Sequence, residues 1–404
     1  MESMVEKRLV NFFEKFLSSE SLFKDKKVLQ SNYTPETILH RDNQINQIAT
    51  ILAPALKLER PSNLFIYGKT GTGKTLSVDH TIKQILNVAN SKEINVKSIY
   101  LNCKLKRSAD TEYRLIAQLA KYFGKHVPAT GLPTDEVYNI FYSALDNHDG
   151  IILLVLDEID QLIRKAGDEL LYNLTRINES LKKSQICIIG ISNNLMFTDN
   201  LDPRVKSSLG EEEILFPPYN ALQIQEILKL RGKSAFKTEV LDSGVIEKCA
   251  AYAAREHGDV RRALDLLRVA GELAERRGKS NVVIQDIDAA EDKIEKDRMV
   301  DIIQNQPKQF QATLQAMIIL KSKNAKIATG DIYEIYKTIC SKAGLRPLTQ
   351  RRISDIIAEL DMLGIINSKI ISKGRYGRTR EITMAISSNS EPLIKEILKR
   401  ELSL

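Results

Sequence analysis

Residues Gly68 to Thr75 read GKTGTGKT, and the apolar run NLFIYG, Asn63 to Gly68, leads straight into them. The eight residues match GxxxxGK[ST], with an apolar strand-like run before and a helical pattern after. Glycines at these positions let successive backbone N–H groups turn inward around phosphate oxygens, at the positive end of the following helix. The loop Gly68, Lys69, Thr70, Gly71, Thr72, Gly73, Lys74 and Thr75 is therefore the expected cradle for ATP or ADP. Lys74 is expected to reach the β- and γ-phosphates, and Thr75 to offer its hydroxyl to Mg²⁺. A glycine-rich turn without a ligand is the competing reading, and the complete motif in its strand–loop–helix setting argues against it.

Working outward, four more apolar runs follow before Pro218: VKSIYLNC, IILLVLDE, QICIIGIS and EEILFPP. They are continuously apolar rather than alternating, as buried parallel strands are, and they are separated by amphipathic segments. The fold class is thus α/β, a parallel five-stranded sheet between helices. IILLVLDEID places Asp157 and Glu158 at a strand end. Asp157 would hold the magnesium, and Glu158 would orient and deprotonate the attacking water. The adjacent acid distinguishes a hydrolase or switch from a kinase, which would need a separate acceptor site. QICIIGISNN ends in Ser192, Asn193 and Asn194. An asparagine here would hydrogen-bond the γ-phosphate or the attacking water; a turn residue or helix cap fits the local sequence equally well.

After PPYN, Pro217 to Asn220, the chain reads helical to about Asp297, as a lid following a sheet domain. NQPKQ, Asn305 to Gln309, is the expected linker. Beyond it come three helical patterns, the third being TQRRISDIIAELDMLG, capped at Thr349 and stopped at Gly364. IINSKIIS, KGRYGRTR and EITMAIS then read as strand, turn and strand, which completes a winged helix. In that fold Gln350, Arg351 and Ser354 point away from the apolar face of the third helix and meet base edges. The wing tip offers Lys373, Arg375, Tyr376, Arg378 and Arg380 to phosphates or the minor groove. A winged helix also serves as a protein-binding module, so charge has to decide.

The chain of 404 residues carries a net charge of +7. From Arg298 to the end there are 18 Lys+Arg against 10 Asp+Glu, an excess of +8, so the first 297 residues are nearly neutral. Such localisation favours a polyanion such as double-stranded DNA. The longest apolar run, IILLVL, has six residues, too short to cross a bilayer, and the start MESMVEKRLV lacks the apolar segment of an export signal. The expected location is cytoplasmic, at the nucleoid, with no membrane partner. Four scattered cysteines form no CxxC pair, which suits reduced buried thiols. Val5, Leu9, Phe12, Phe13 and Phe16 predict an N-terminal helix.

These ordered motifs resemble the archaeal replication-initiator group of AAA+ ATPases, akin to the origin recognition complex and cell division control protein six. The resemblance runs from TPETILHRDNQI to the basic C-terminal domain. It implies a domain division of 1–218 for the ATPase core, 219–300 for the lid and 301–404 for the winged helix. It implies a linker over 1–40 and a helical insertion over about 104–147, whose Lys104, Lys106 and Arg107 would grip DNA. It makes Asn193 the first sensor, Arg261 in GDVRRAL the second, and Arg204 in LDPRVKSSL an arginine finger offered to a neighbouring subunit. Tyr219 and Arg231 would contact the nucleotide, and Leu39, His40 and Arg41 would lie over adenine. Taken alone, Arg204 reads equally as a surface residue, and Arg261 as an i,i+4 partner of Asp265. The implied function is a DNA replication initiator at origins, with ATP binding and slow hydrolysis as a switch and a role in helicase recruitment. A paralogous initiator subunit and the replicative helicase are the implied protein partners. The rivals are a clamp-loader-like or remodelling ATPase and an ATP-binding transcriptional regulator.

Overall fold

The computed structural model describes residues 13–14, 20–104, 111–128, 130–197, 201–209, 211–322, 327–372, 378–386 and 390–404. Of the expected N-terminal helix only Phe13 and Glu14 are described; Val5, Leu9, Phe12 and Phe16, together with Lys106, Arg107 and the wing-tip residues Lys373, Arg375 and Tyr376, lie outside the described residues. The chain divides into two compact units, Met1–Ile287 and Asp288–Leu404.

The first unit is built on five parallel strands: β1 Leu64–Gly68, β2 Val96–Asn102, β3 Ile151–Asp157, β4 Gln185–Ser192 and β5 Glu212–Phe216. Their order across the sheet is β2-β3-β4-β1-β5. Every residue of β3 is buried, because helices cover both faces of the sheet. Neighbouring residues serve opposite faces. Ile66, Val155 and Ile189 pack with Ile48, Leu52, Val78 and Ile82 on one side. Phe65, Leu154 and Ile188 pack with Leu115, Ile116 and Phe141 on the other. The register sets Asp157 beside Ile191, Ser192 beside Tyr67, and Gly68 beside Phe216. The ends of β3, β4 and β1 therefore open at one edge, where ligands of such sheets bind.

Between β2 and β3 stand two helices, Glu112–Tyr122 and Thr134–Asp146. Gly124, at a φ of +76°, lies just beyond the first and closes it. After β5 a capping box of Asn220 and Gln223 starts the lid helix Ala221–Ala235. Helices Val245–Arg255 and Val260–Arg276 follow. The N-terminal segment lies along this lid: Lys24 N donates to Ala235 O at 2.8 Å, and the Phe23 and Phe236 rings are 4.6 Å apart.

In the second unit helices Lys308–Lys321, Thr329–Lys342 and Gln350–Met362 precede the hairpin β7 Ile366–Ser372 and β8 Arg378–Met384. A short strand, β6 Ile327–Ala328, adds to β8, giving an antiparallel sheet β6-β8-β7. The sequence reading stopped at three helices and a hairpin. The structure adds a terminal helix, Glu391–Leu402, whose Ile394, Ile397, Leu398 and Leu402 join the core. That helix packs against Lys308–Lys321, which is why all nine residues from Phe310 to Ile318 are buried rather than a single stripe.

Candidate functional site: a cavity at the sheet edge and the third helix of the second unit

At the open sheet edge a cavity of about 300 Å³ is lined by Gly71–Thr75, Asp157, Glu158, Asn193, Tyr219, Arg231 and Arg261. The phosphate loop takes its shape from two glycines in particular. Gly71 has φ +68°, and a Cβ there would overlap the Asp259 carboxylate at the start of the lid helix Val260–Arg276. Gly73 has φ +88°, and a Cβ there would stand 2.9 Å from the Tyr219 hydroxyl. Both positions demand a residue free to adopt left-handed backbone and to admit a close neighbour.

Lys74 is 5% exposed and reaches back over the loop. Its ammonium donates to Gly68 O at 2.8 Å, Lys69 O at 2.7 Å and Asn193 Oδ1 at 2.8 Å. Burial pulls its pKa down to about 8, against the Asp157 carboxylate, which holds it up. A bound phosphate would restore a high pKa, so the ammonium contributes fully to binding below about pH 8 and is lost as pH rises through that value. ADP affinity is therefore expected to be level up to about pH 8 and to fall nearly tenfold per unit above it. Calorimetric titration between pH 7 and 10 checks this, and a flat profile would remove Lys74 from the phosphate site.

Asp157 is 7% exposed and held by three donors. Thr75 Oγ1 and Tyr100 Oη donate to Oδ2 at 3.0 and 2.6 Å, and Glu158 N donates to Oδ1 at 2.9 Å. A hydroxyl and a carboxylate converging on one point are hard oxygen donors, and they fit a hard divalent cation. Glu158 follows in left-handed backbone, φ 54° and ψ 45°, at the start of helix Ile159–Ala166. Its Oε2 lies 3.6 Å from the Lys104 ammonium. Lys104, expected to face DNA, thus stands beside the cavity's second carboxylate.

The lid contributes Arg231 and Arg261. Arg231 is 7% exposed, stacks over the Tyr33 ring at 4.4 Å, and leaves Nε and Nη1 without hydrogen-bond partners. Two orphaned donors in a cavity wall fit an anionic or acceptor-rich ligand. Arg261 is exposed on the cavity surface, and Asp265, its alternative partner, pairs with Arg268 at 3.0 Å. Arg204 lies elsewhere: exposed, bonded to Asp202 through Nε and Nη2 at 3.1 and 3.0 Å. Of Leu39, His40 and Arg41, only Leu39 lines the cavity. His40 has φ +59° and pairs with Glu226 of the lid at 2.9 Å. Arg41, 2% exposed, donates to Thr72 O at 2.8 Å and Pro217 O at 2.6 Å and stacks on the Tyr219 ring at 3.7 Å. The sequence reading missed Tyr33, Tyr100, Ile227, Leu230 and Leu264, all on the cavity wall. The last three are helical apolar positions that look like core.

In the second unit Thr349 caps helix Gln350–Met362, accepting from Arg352 N at 3.4 Å. Gln350 and Arg351 are exposed at its start, and Ser354 is half-buried one turn on. Arg380 of β8 donates to Ser354 O at 3.2 Å, tying the wing strand to this helix. Arg378 occupies the first position of β8, opposite Ser372.

Fold and site together define an AAA+ P-loop ATPase with a helical lid and a winged helix, and hence a nucleotide-binding protein. Residues 57–195 match the AAA domain, 225–292 the Cdc6 AAA+ ATPase-type lid domain, and 301–390 the CDC6 C-terminal winged helix domain. ORC1-type DNA replication protein 1 of Methanosarcina acetivorans is 50% identical over 381 residues, 94% of this chain and 91% of its own. The ORC1-type DNA replication protein of Pyrococcus furiosus is 49% identical over 402 residues, 98% of this chain and 94% of its own. A structure of the Aeropyrum pernix ORC1 protein in complex with DNA superimposes with a TM-score of 0.84 at 43% identity, covering 95% of this chain and 98% of the other. The chain belongs to the ORC1-type DNA replication protein family. It is a DNA replication initiator of that type, and the clamp-loader and transcription-regulator readings are not favoured. Among the described residues no helix is long and apolar enough to cross a membrane.

Proposed function

We propose that this initiator binds double-stranded DNA at replication origins and is switched by ATP, ADP and Mg²⁺ in the cavity at the sheet edge. The observation that carries the proposal is the convergence of Lys74, Thr75, Asp157, Glu158, Asn193 and Arg261 on that cavity. Thr75 and Asp157 hold Mg²⁺, which when bound neutralises charge on the phosphates. Lys74 and Arg261 carry positive charge to the phosphate end, Asn193 orients the group transferred, and Glu158 accepts a proton from the attacking water. Hydrolysis is slow and acts as a timer. Arg204 serves the cavity of a neighbouring subunit, a paralogue or a second copy, which its exposed place outside its own cavity supports. Helicase recruitment follows from the origin-bound state, and the protein works in the cytoplasm at the nucleoid.

Duplex DNA lies against helix Gln350–Met362 and the wing, with Gln350, Arg351 and Ser354 toward base edges and Lys373, Arg375, Tyr376, Arg378 and Arg380 toward the backbone. Lys106 and Arg107 of the insertion add further contacts, with Lys104 shared with Glu158. Support comes from the +8 excess from Arg298 to the end and from the relative solved with DNA. With four to six phosphates neutralised, log affinity should fall against log salt with a slope of about −4 to −5. The double variant Arg375→Ala, Arg378→Ala should flatten that slope by about 2. Fluorescence anisotropy on duplex DNA, run with ATP and with ADP, tests both halves. A wild-type slope near zero would overturn the DNA assignment, and identical affinities with both nucleotides would overturn the switch.

A further inference from the structure

The Asp157 carboxylate accepts three hydrogen bonds, and one of its donors belongs to no phosphate or metal motif. Tyr100 lies on β2, next to β3, where Asn102 is the register partner of Asp157. Residues 100 and 102 share one face of the strand, so the ring of Tyr100 lies on the cavity side and its hydroxyl reaches the carboxylate. Oη stands 2.6 Å from Asp157 Oδ2, the same oxygen that accepts from Thr75 Oγ1 at 3.0 Å. The other oxygen, Oδ1, accepts from Glu158 N at 2.9 Å. The plane of the carboxylate is thereby fixed from both ends, and Tyr100 is the only side chain in this set that comes from outside the two phosphate-site motifs.

We infer that Tyr100 is a positioning residue for the divalent cation: its hydroxyl fixes the Asp157 carboxylate for metal binding and presents its own oxygen to the metal's water shell. This rests on the reading of Thr75 and Asp157 as the magnesium site. A phenol has one hydrogen and two acceptor lone pairs. With the hydrogen given to Asp157 and one lone pair engaged by the Asn102 side chain, the other lone pair can accept from a water on the cation. Magnesium held by one or two protein oxygens keeps several waters, so a group that binds those waters tunes affinity without touching the ion. The backbone frame is independent of the hydroxyl. Cys103 N donates to Asp157 O at 2.8 Å, and β2 pairs with β3 along its whole length. Removing the hydroxyl should therefore leave the sheet intact.

The test is Tyr100→Phe in the full chain, with binding of a fluorescent ATP analogue measured across a magnesium titration and again in EDTA. The magnesium concentration giving half of the metal-dependent gain should rise about tenfold, in the range seen when outer-shell partners are removed. Binding in EDTA and the thermal melting point should not move. Tyr122→Phe, which removes a neighbouring phenol 3.4 Å from the Tyr100 carbonyl, should leave both titrations as in wild type. An unchanged magnesium midpoint in Tyr100→Phe would overturn the inference, and so would an equal loss with and without metal, which would make the role structural. If the wild-type protein itself gains nothing from magnesium, the Thr75–Asp157 reading fails, and Tyr100 has no cation to position.

Discussion

Glu158→Gln should bind ATP as tightly as wild type and lose turnover by about two to three orders of magnitude, the range for removal of a positioned general base. The substitution keeps shape and hydrogen-bonding length while removing the oxygen that takes the proton. Glu158 is set for this work by its backbone: φ 54° and ψ 45° place a non-glycine residue in left-handed space at the sheet edge. Such a conformation costs on the order of 1 kcal/mol and persists where the surroundings impose it, commonly at functional sites. The surroundings here are β3, whose last residue Asp157 accepts from Glu158 N, and the helix that Glu158 begins. The variant also removes the ionic partner of Lys104, a long contact at 3.6 Å whose lysine is exposed, so it contributes little to stability and the melting point should scarcely shift. ATP binding by calorimetry and phosphate release under single-turnover conditions separate the two effects. Retained turnover would displace Glu158 from the base role.

The different fates of Glu158 and Tyr100 show where sequence reading works. The phosphate loop and the acidic pair are local patterns, each preceded by an apolar strand run, so position along the chain is enough to place them at one sheet edge. All five strand runs lie where the sequence puts them, most plainly β3 and β4, where burial on both faces gives a continuous apolar pattern that solvent-facing elements do not copy; the edge strands β2 and β5 keep exposed residues. Tyr100 carries no such pattern. Its role follows from the register that sets Asn102 against Asp157, and register between strands about fifty residues apart is set by the whole sheet. The terminal helix Glu391–Leu402 illustrates a different gap. Ile394, Ile397 and Leu398 have helical spacing, but the helix they cover, Lys308–Lys321, lies far earlier in the chain, and local sequence does not mark that contact. Arg231 was reached only through family resemblance, since nothing in ALQIQEILKLR marks one arginine as buried with donors unpaired.

Arg41→Ala should cost the first unit roughly 3 kcal/mol and weaken binding of ATP and ADP alike, because this buried guanidinium bonds to three segments at once. Nε donates to Thr72 O in the phosphate loop, Nη2 to Pro217 O where the sheet gives way to the lid, and Nη1 to His40 O in its own segment. Its Cζ lies 3.7 Å from the centre of the Tyr219 ring, and the Tyr219 hydroxyl in turn is the close neighbour that Gly73 must admit. Removing the side chain leaves the buried Thr72 carbonyl without its donor, frees the part-buried carbonyls of Pro217 and His40, and opens a void under the loop; the unpaired Thr72 carbonyl alone costs about 1–3 kcal/mol. Arg41→Lys keeps the charge but replaces a planar fork by a single ammonium, which cannot serve Thr72 and Pro217 together or stack on Tyr219. It should recover less than half of the lost stability. A residue that contacted adenine would behave otherwise, losing nucleotide affinity while the ligand-free melting curve stayed in place. Differential scanning calorimetry of the nucleotide-free protein therefore decides between the two roles: a melting point unchanged in Arg41→Ala would return Arg41 to the ligand, and a drop of several degrees would establish it as the brace beneath the phosphate loop.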